Sequence, residues 1–283
     1  MNPPRRRLGL ILAGLFATGS GARPLAGQLR PLDPVDWHAF DPGVVVLAGF
    51  GGDALTGQRA SAAGMRGRVL EAPAAMLSWT TGRVALRAIV HPWRYFWGDT
   101  AFATPLPGTD PAVSGRRDDA GDNAVETIVR LTPPAGPTSP LLALRYGVRI
   151  STHSDRKGLD RHKTDFYALL GGRTFAGQWT LTGESGLGVY GARQVVAEKA
   201  LPFLYALGVH RRVGAWAPAL ELVGQAARHP PRGNENLSEL RTGVRWGEDR
   251  WVQVSAVKGL TDFSPRLGVL VFGGVELPRR RAH

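Results

Sequence analysis

The 283-residue sequence contains no cysteine, which excludes a disulfide scaffold, a thiolate zinc site and a cysteine nucleophile. It also lacks any apolar run long enough for a membrane-spanning helix. The longest, 8–17, holds ten residues, about half of the ~20 that such a helix needs. His91, His153, His162, His210 and His229 do not stand at the separations that chelate a metal, and no metal or other cofactor is expected. The glycines of 183–191 alternate with apolar residues inside a strand pattern, so they do not form a phosphate-binding loop. The formal charge of +12 is not gathered into a nucleic-acid-binding patch. Arg5, Arg6, Arg7 and Arg23 lie at the amino terminus and Arg279, Arg280 and Arg281 in a short terminal run, leaving a body with only a modest basic bias.

The start of the chain has a clear order of parts. Arg5–Arg7, the apolar run 8–17 and the small residues 18–22 read as a cleavable secretory signal peptide, cut after Ala22 or near Gly27. The alternative is an uncleaved anchor, for which the run is short. The expected organisation is therefore a signal peptide over 1–27, a periplasmic segment over 28–42, a barrel over 43–277 and a basic tail over 278–283. An exported chain without disulfides must be stabilised by a large core, an assembly or lipid.

From Val44 onward the apolar period is two. Leu142, Leu144, Tyr146, Val148 and Ile150 alternate with Arg145, Gly147 and Arg149; Trp179, Leu181, Leu187 and Val189 alternate with Thr180, Thr182, Glu184 and Gly188. Such stretches are strands with one apolar and one polar or small face. About twelve are expected, with ten as the alternative, an even number suiting a closed all-β antiparallel transmembrane barrel. Their spans are 44–52, 66–79, 83–95, 122–132, 139–152, 163–175, 178–190, 201–212, 215–227, 236–246, 251–258 and 265–277, the second and eleventh alternating poorly. Short turns near 80–82, 133–137, 175–177, 213–214 and 247–249 take turns with longer polar connections, 53–65, 96–121, 153–162, 191–200, 228–235 and 259–264. Brief periplasmic turns and larger external loops alternate in this way in outer-membrane barrels. Trp79, Trp179, Trp216, Trp246 and Trp251 flank the short turns, and Trp93 and Trp97 stand at the start of the longest opposite loop. Two aromatic interface girdles are expected. A soluble sandwich would instead bury these indoles in mid-strand.

With the apolar faces against lipid, the other faces line a lumen. Arg83, Arg87, Arg145, Arg149, Arg173, Glu184, Glu221, Glu239, Arg241 and Arg245 are the residues expected there, joined by Glu126, Arg130, Asp165, Arg266 and Glu276. The arginine excess favours anions in a hydrated passage, while the same residues paired with one another plug a narrow barrel; a wall of about twelve strands permits either. The 96–121 connection is the expected constriction or lid. Ser151–Asp155 brings Ser, His and Asp together, but neighbours on a strand point to opposite faces. A solvated turn explains that segment, and no enzyme activity is expected.

The carboxy-terminal stretch adds a resemblance. Glu239-Leu-Arg-Thr-Gly-Val-Arg-Trp246 and Gly259-Leu-Thr-Asp-Phe-Ser-Pro265 are similar to the closing strand and loop of the outer-membrane transporter-like β-barrel family associated with the meta-pathway of phenol degradation. Lys163–Arg173 and Leu222–Gln225 look similar too. The resemblance implies a barrel passing small, hydrophobic molecules, with no catalytic residues. The chain departs from family members in continuing past its last strand into Leu277-Pro-Arg-Arg-Arg-Ala-His283.

The expected function is passive passage of small solutes, hydrophobic or anionic, through the cell outer membrane. A self-plugged structural or assembly barrel is the alternative, and a lipid hydrolase using Ser154 a remote third. The expected partners are outer-membrane lipids, periplasmic chaperones, the barrel-insertion machinery and an unidentified solute, with no nucleic acid.

Overall fold

The computed structural model describes residues 31–278, apart from 42–43, 107, 134–137, 151, 153, 160–163, 191–200 and 231–234. The signal-peptide region 1–27 and all but the first residue of the expected tail lie outside the described residues. The alternating stretches become antiparallel strands, because period-two patterning leaves one face to bury and one to expose. The first segments are β1 (Val44–Ala60), β2 (Met65–Thr81), β3 (Val84–Val90), β4 (Arg94–Ala101), β5 (Gly115–Asp119), β6 (Asn123–Arg130) and β7 (Leu141–Ile150). The remainder are β8 (Asp165–Ala176), β9 (Trp179–Val189), β10 (Phe203–Arg211), β11 (Trp216–Ala226), β12 (Leu237–Gly247), β13 (Arg250–Gly259) and β14 (Leu267–Pro278). Two short 3-10 turns, Trp37–Phe40 and Asp155–Lys157, accompany them.

These 14 segments occupy twelve positions of a single closed wall. The inner half of β2 pairs with β3 and its outer half with β4, so β3 and β4 are one wall strand laid end to end. The following pair, β5 and β6, is divided in the same way against β4 and β3. The break in the first falls at 91–93, where Pro92 has no N–H to give a ladder. Local bonds restore what the ladder loses: Gly121 N–H donates to the His91 carbonyl at 2.9 Å, and His91 N–H donates to Asn123 Oδ1 at 3.1 Å. The barrel closes where β1 pairs with both β2 and β14.

Three expected boundaries change. The 53–65 loop shrinks to 61–64, because β1 runs on through Asp53, Thr56 and Gln58 with bulges that break its alternation. The strand over 83–95 is split at Pro92. The 96–121 connection contributes the end of β4 and all of β5, a hairpin that extends the wall past the rest of the rim, so much of the expected lid is wall.

The outer surface is apolar around the circumference. Leu142, Leu144, Tyr146 and Ile150 of β7, Trp179, Leu181, Leu187 and Val189 of β9, and Val252 and Val254 of β13 are all exposed. From Trp179 to Val189, ten residue steps of ~3.3 Å on a strand tilted about 40° cover roughly 25 Å, the height of a lipid-facing belt. This is a transmembrane β-barrel. Gly172 and Gly183 face each other across β8 and β9 in this belt. A Cβ on Gly172 would run into the carbonyl oxygen of Leu141, whereas one on Gly183 comes no closer than 3.4 Å to any neighbour, Leu207 Cδ2 being the nearest. Gly172→Val is therefore expected to lower the unfolding free energy by about 1–3 kcal/mol and Gly183→Ala to leave it nearly unchanged, read from urea titrations of the refolded barrel in lipid vesicles.

Candidate functional site: an occluded lumen

The inward faces carry charge, and each strand's alternation aims it there. Arg87, Arg145, Arg149, Arg173, Glu184, Glu221, Glu239, Arg241 and Arg245 are all buried inside the wall. Glu126 of β6 lies at the centre of one network. It accepts from Arg87 Nε at 2.5 Å, from Arg145 Nη2 at 2.5 Å and from the Tyr167 hydroxyl at 2.7 Å, while Arg145 Nη1 reaches Glu184 at 2.8 Å. Arg149 donates to Asp165 at 2.6 Å and rests over the Tyr190 ring, 5.0 Å from its centroid. Arg245 pairs with Glu276 and lies 4.5 Å from the centroid of Trp251. Each of these pairs joins strands no more than two positions apart, so they run along the wall and do not cross the lumen. Arg145 and Arg149, expected from the sequence to line the lumen, are held in them.

What crosses the lumen is residues 31–41. The expectation for 28–42 was a periplasmic segment; its described part is instead buried within the barrel, Trp37 at 1% exposure and Asp33, Asp36, Phe40 and Asp41 nearly as completely. The stretch carries three aspartates and no lysine or arginine, and arginines from three separate strands hold it. Arg241 of β12 pairs with Asp33 at 2.6 Å, Arg173 of β8 with Asp41, and Arg87 of β3 donates to the Pro34 carbonyl at 3.2 Å. Arg173 also donates to the Trp37 carbonyl at 3.2 Å. Val35, Trp37, Ala39 and Phe40 pack on Ala85, Ile128, Leu141 and Ala143 of the wall, and Leu32 packs among Tyr167, Leu169, Tyr190 and Leu204. Burying apolar side chains while matching acidic to basic groups makes the inside of the barrel a better surrounding for this segment than water.

The long-loop end is narrowed as well. Leu55, Met65, Val69, Phe96, Leu159 and Leu270 form an apolar cluster within the mouth. The chain after β4 folds over it: Leu106 N–H donates to the Ala62 carbonyl at 2.9 Å and Asp110 N–H to the Arg156 carbonyl at 2.7 Å. Glu71 and Arg94 pair beneath this cover, both almost fully buried.

Three expected positions are corrected. Arg83 is exposed in the turn before β3, since Gly82, at φ 57°, ends the strand before the arginine can face inward. Trp251 is buried at 2% and stacks on Phe272 inside the barrel. Gly247 stands opposite Trp251 and Trp246 opposite Val252, so the two indoles take opposite faces and only Trp246 looks outward. Trp79, Trp179, Trp216 and Trp246 are exposed at the short-turn end. Trp93 is exposed and Trp97 partly exposed at the other, in a ladder with Tyr95. Arg266, too, lies on the outer surface. The sequence reading did not find Glu71, Arg94, Asp33, Asp41 and Tyr167. A cluster of aspartates among apolar residues just before the first strand was the available signal for two of them.

Ser151 and His153 lie outside the described residues, and Ser154 caps the second 3-10 turn, its hydroxyl accepting from Arg156 N–H at 3.3 Å. Among the described residues no group of three His, Asp or Glu could hold a metal ion.

Comparison with solved structures bears on the fold. An outer membrane channel from Pseudomonas putida F1 superposes with a TM-score of 0.59, covering 87% of this chain and 100% of that one at 11% identity. The fold is that of an outer-membrane barrel. The translocator domain of autotransporter NalP from Neisseria meningitidis follows at a TM-score of 0.51, covering 83% and 88% of the two chains at 14% identity. These likenesses agree with the outer-membrane barrel fold that the carboxy-terminal motifs implied. No family model and no curated protein matches the sequence.

Proposed function

We propose that this outer-membrane barrel is a channel for small solutes, kept closed by its own residues 31–41. The observation that carries the reading is the direction of the contacts. Wall charges pair sideways between near neighbours, and the groups that span the lumen belong to a short segment held by side-chain grips at Asp33, Pro34, Trp37 and Asp41. Those grips can open without disturbing a strand ladder. Once the segment leaves, Arg87, Arg173 and Arg241 line the vacated space, and a lumen edged by guanidinium groups favours anions and polar, anion-bearing solutes. The Pseudomonas putida protein of similar fold, an outer membrane channel, is consistent with this. Passage through such a lumen is diffusion down a gradient.

The test is single-channel recording of the folded chain in a planar bilayer under a salt gradient, beside the Asp33→Lys/Asp41→Lys variant, which turns two attractions into repulsions. The wild type is expected to be silent or to open rarely. The variant should give long, discrete steps with an anion-leaning reversal potential. Silence from an inserted, folded variant would transfer the assignment to a self-plugged structural barrel.

A further inference from the structure

The outer surface carries a feature that the channel reading does not use. At the rim between β1, β2 and the β13–β14 loop lies a cavity of about 350 Å³, lined by Arg66, Lys258 and Arg266 together with Thr56, Thr261 and Asp262. The three cations come from three different parts of the chain. None of their side chains makes an ion pair or hydrogen bond among the described residues. The one acid among the lining residues faces a different cation: Asp262 lies 3.9 Å from Arg59, and that guanidinium packs against the rings of Phe102 and Phe263, 5.3 Å from each centroid. Arg59 in turn stands directly opposite Arg66 in the β1–β2 ladder. Like charges so placed repel, so among the described residues this corner holds more positive charge than its one acid, Asp262, offsets.

The site is built, not a chance scatter of flexible side chains. The loop that presents Arg266 is braced by Thr261 Oγ1 against Ser264 Oγ at 2.8 Å, by Ser264 Oγ accepting from Ser238 N–H at 2.9 Å, and by Arg266 N–H donating to the Thr56 carbonyl at 2.8 Å. Gly57, at φ 67°, lets β1 pass close beneath, since a Cβ there would come within 2.7 Å of Arg266 Cβ.

Its height on the barrel narrows the ligand. Arg68, two residues below Arg66 on β2, pairs in register with Trp97 of the aromatic ladder, so Arg66 stands roughly 7 Å above that interface ring. Directly below the cavity, Leu267, Val269 and Val271 on β14 and Val254 on β13 are exposed apolar residues of the lipid-facing belt. Positive charge immediately above a greasy wall, on the long-loop side, matches an amphiphile with an anionic head and acyl chains. Two planar guanidinium forks and an ammonium suit the several oxygens of a phosphate better than a lone carboxylate.

We infer that this cavity binds the phosphate of an acylated, phosphorylated glycolipid in the outer leaflet, its chains lying over Leu267 and Val269. The inference rests on the outer-membrane reading above. It is tested with the folded full chain in detergent, titrated with a bis-phosphorylated, acylated glucosamine disaccharide, with the same glycolipid after dephosphorylation, and with inorganic phosphate. The bis-phosphorylated glycolipid should bind, and the Arg66→Gln/Lys258→Gln/Arg266→Gln variant should bind it at least about tenfold more weakly, given the strength of charge-assisted bonds to phosphate. Lys258→Glu alone should weaken it in the same direction, which keeps the test open if the triple variant does not fold. Equal binding by the dephosphorylated glycolipid, or by the triple variant, would overturn the site. Inorganic phosphate binding as tightly as the glycolipid would make it a free-anion site and overturn the lipid assignment. Flotation with liposomes separates the two levels: a chain that does not float overturns the membrane reading together with the site, and one that floats but ignores the phosphate overturns the site alone.

Discussion

Deleting residues 31–41 is expected to convert a silent barrel into a conducting one. The wall does not depend on this segment for its ladders, since β1 begins at Val44 and closes against β2 and β14. What the deletion removes is Trp37 and Phe40 from the inner half of the lumen and two aspartates from Arg173 and Arg241. Both arginines then face water and not a dry interior, so the cost of unpairing them is modest. Conductance should rise several-fold over the wild type, and the reversal potential should shift toward the anion value. A synthetic peptide of residues 31–41, added on the short-turn side, should close the deleted barrel again. If the deleted barrel inserts and stays silent, the apolar cluster around Met65, Phe96 and Leu159 seals the outer mouth by itself and the channel reading fails.

The second large effect concerns stability. Glu126 accepts from two guanidinium groups and one phenol, all buried. Glu126→Ala leaves Arg87 and Arg145 facing each other without their shared counter-ion, and breaking such a buried arrangement from one side costs about 3–5 kcal/mol. The urea midpoint of the lipid-reconstituted barrel should fall accordingly, and the heat-modifiable band on a gel should appear at lower temperature. Glu126→Gln keeps an acceptor oxygen and should lose less. Pairing Glu126→Ala with Arg87→Gln removes one of the stranded charges and should recover part of the loss. Additive losses in that double variant would show that the two residues do not act as a unit.

Much of the wall was legible because a membrane barrel writes its geometry into alternate positions. In β7, β9 and β12 an uninterrupted period of two assigned every side chain to a face, and Arg145, Arg149, Glu184, Glu239, Arg241 and Arg245 follow from it directly. Where bulges interrupt that period the reading failed. The outer half of β1 was taken for loop because Gly57 and the register shifts around it scramble the alternation. The β4–β5 hairpin was missed because Arg116, Arg117, Asp118 and Asp119 look like loop residues when the strand they form carries charge on its outward face above the lipid. Trp251 was misplaced because proximity to a turn does not determine a face; the register of β12 against β13 does.

The function-bearing feature was the least legible of all. Residues 31–41 have no period, and three aspartates among prolines and aromatics resemble an exposed linker until the partners are known. Those partners, Arg87, Arg173 and Arg241, lie 53, 132 and 208 residues away from their contacts on the segment. Alternation is a local property, set by the backbone's two-residue repeat, so the amino-acid sequence by itself determined that this chain makes a closed barrel with apolar outside and charged inside. Whether that inside is open depends on which distant charges and rings meet across it, and only the closed wall, by bringing three arginines around one acidic segment, decided that it is shut.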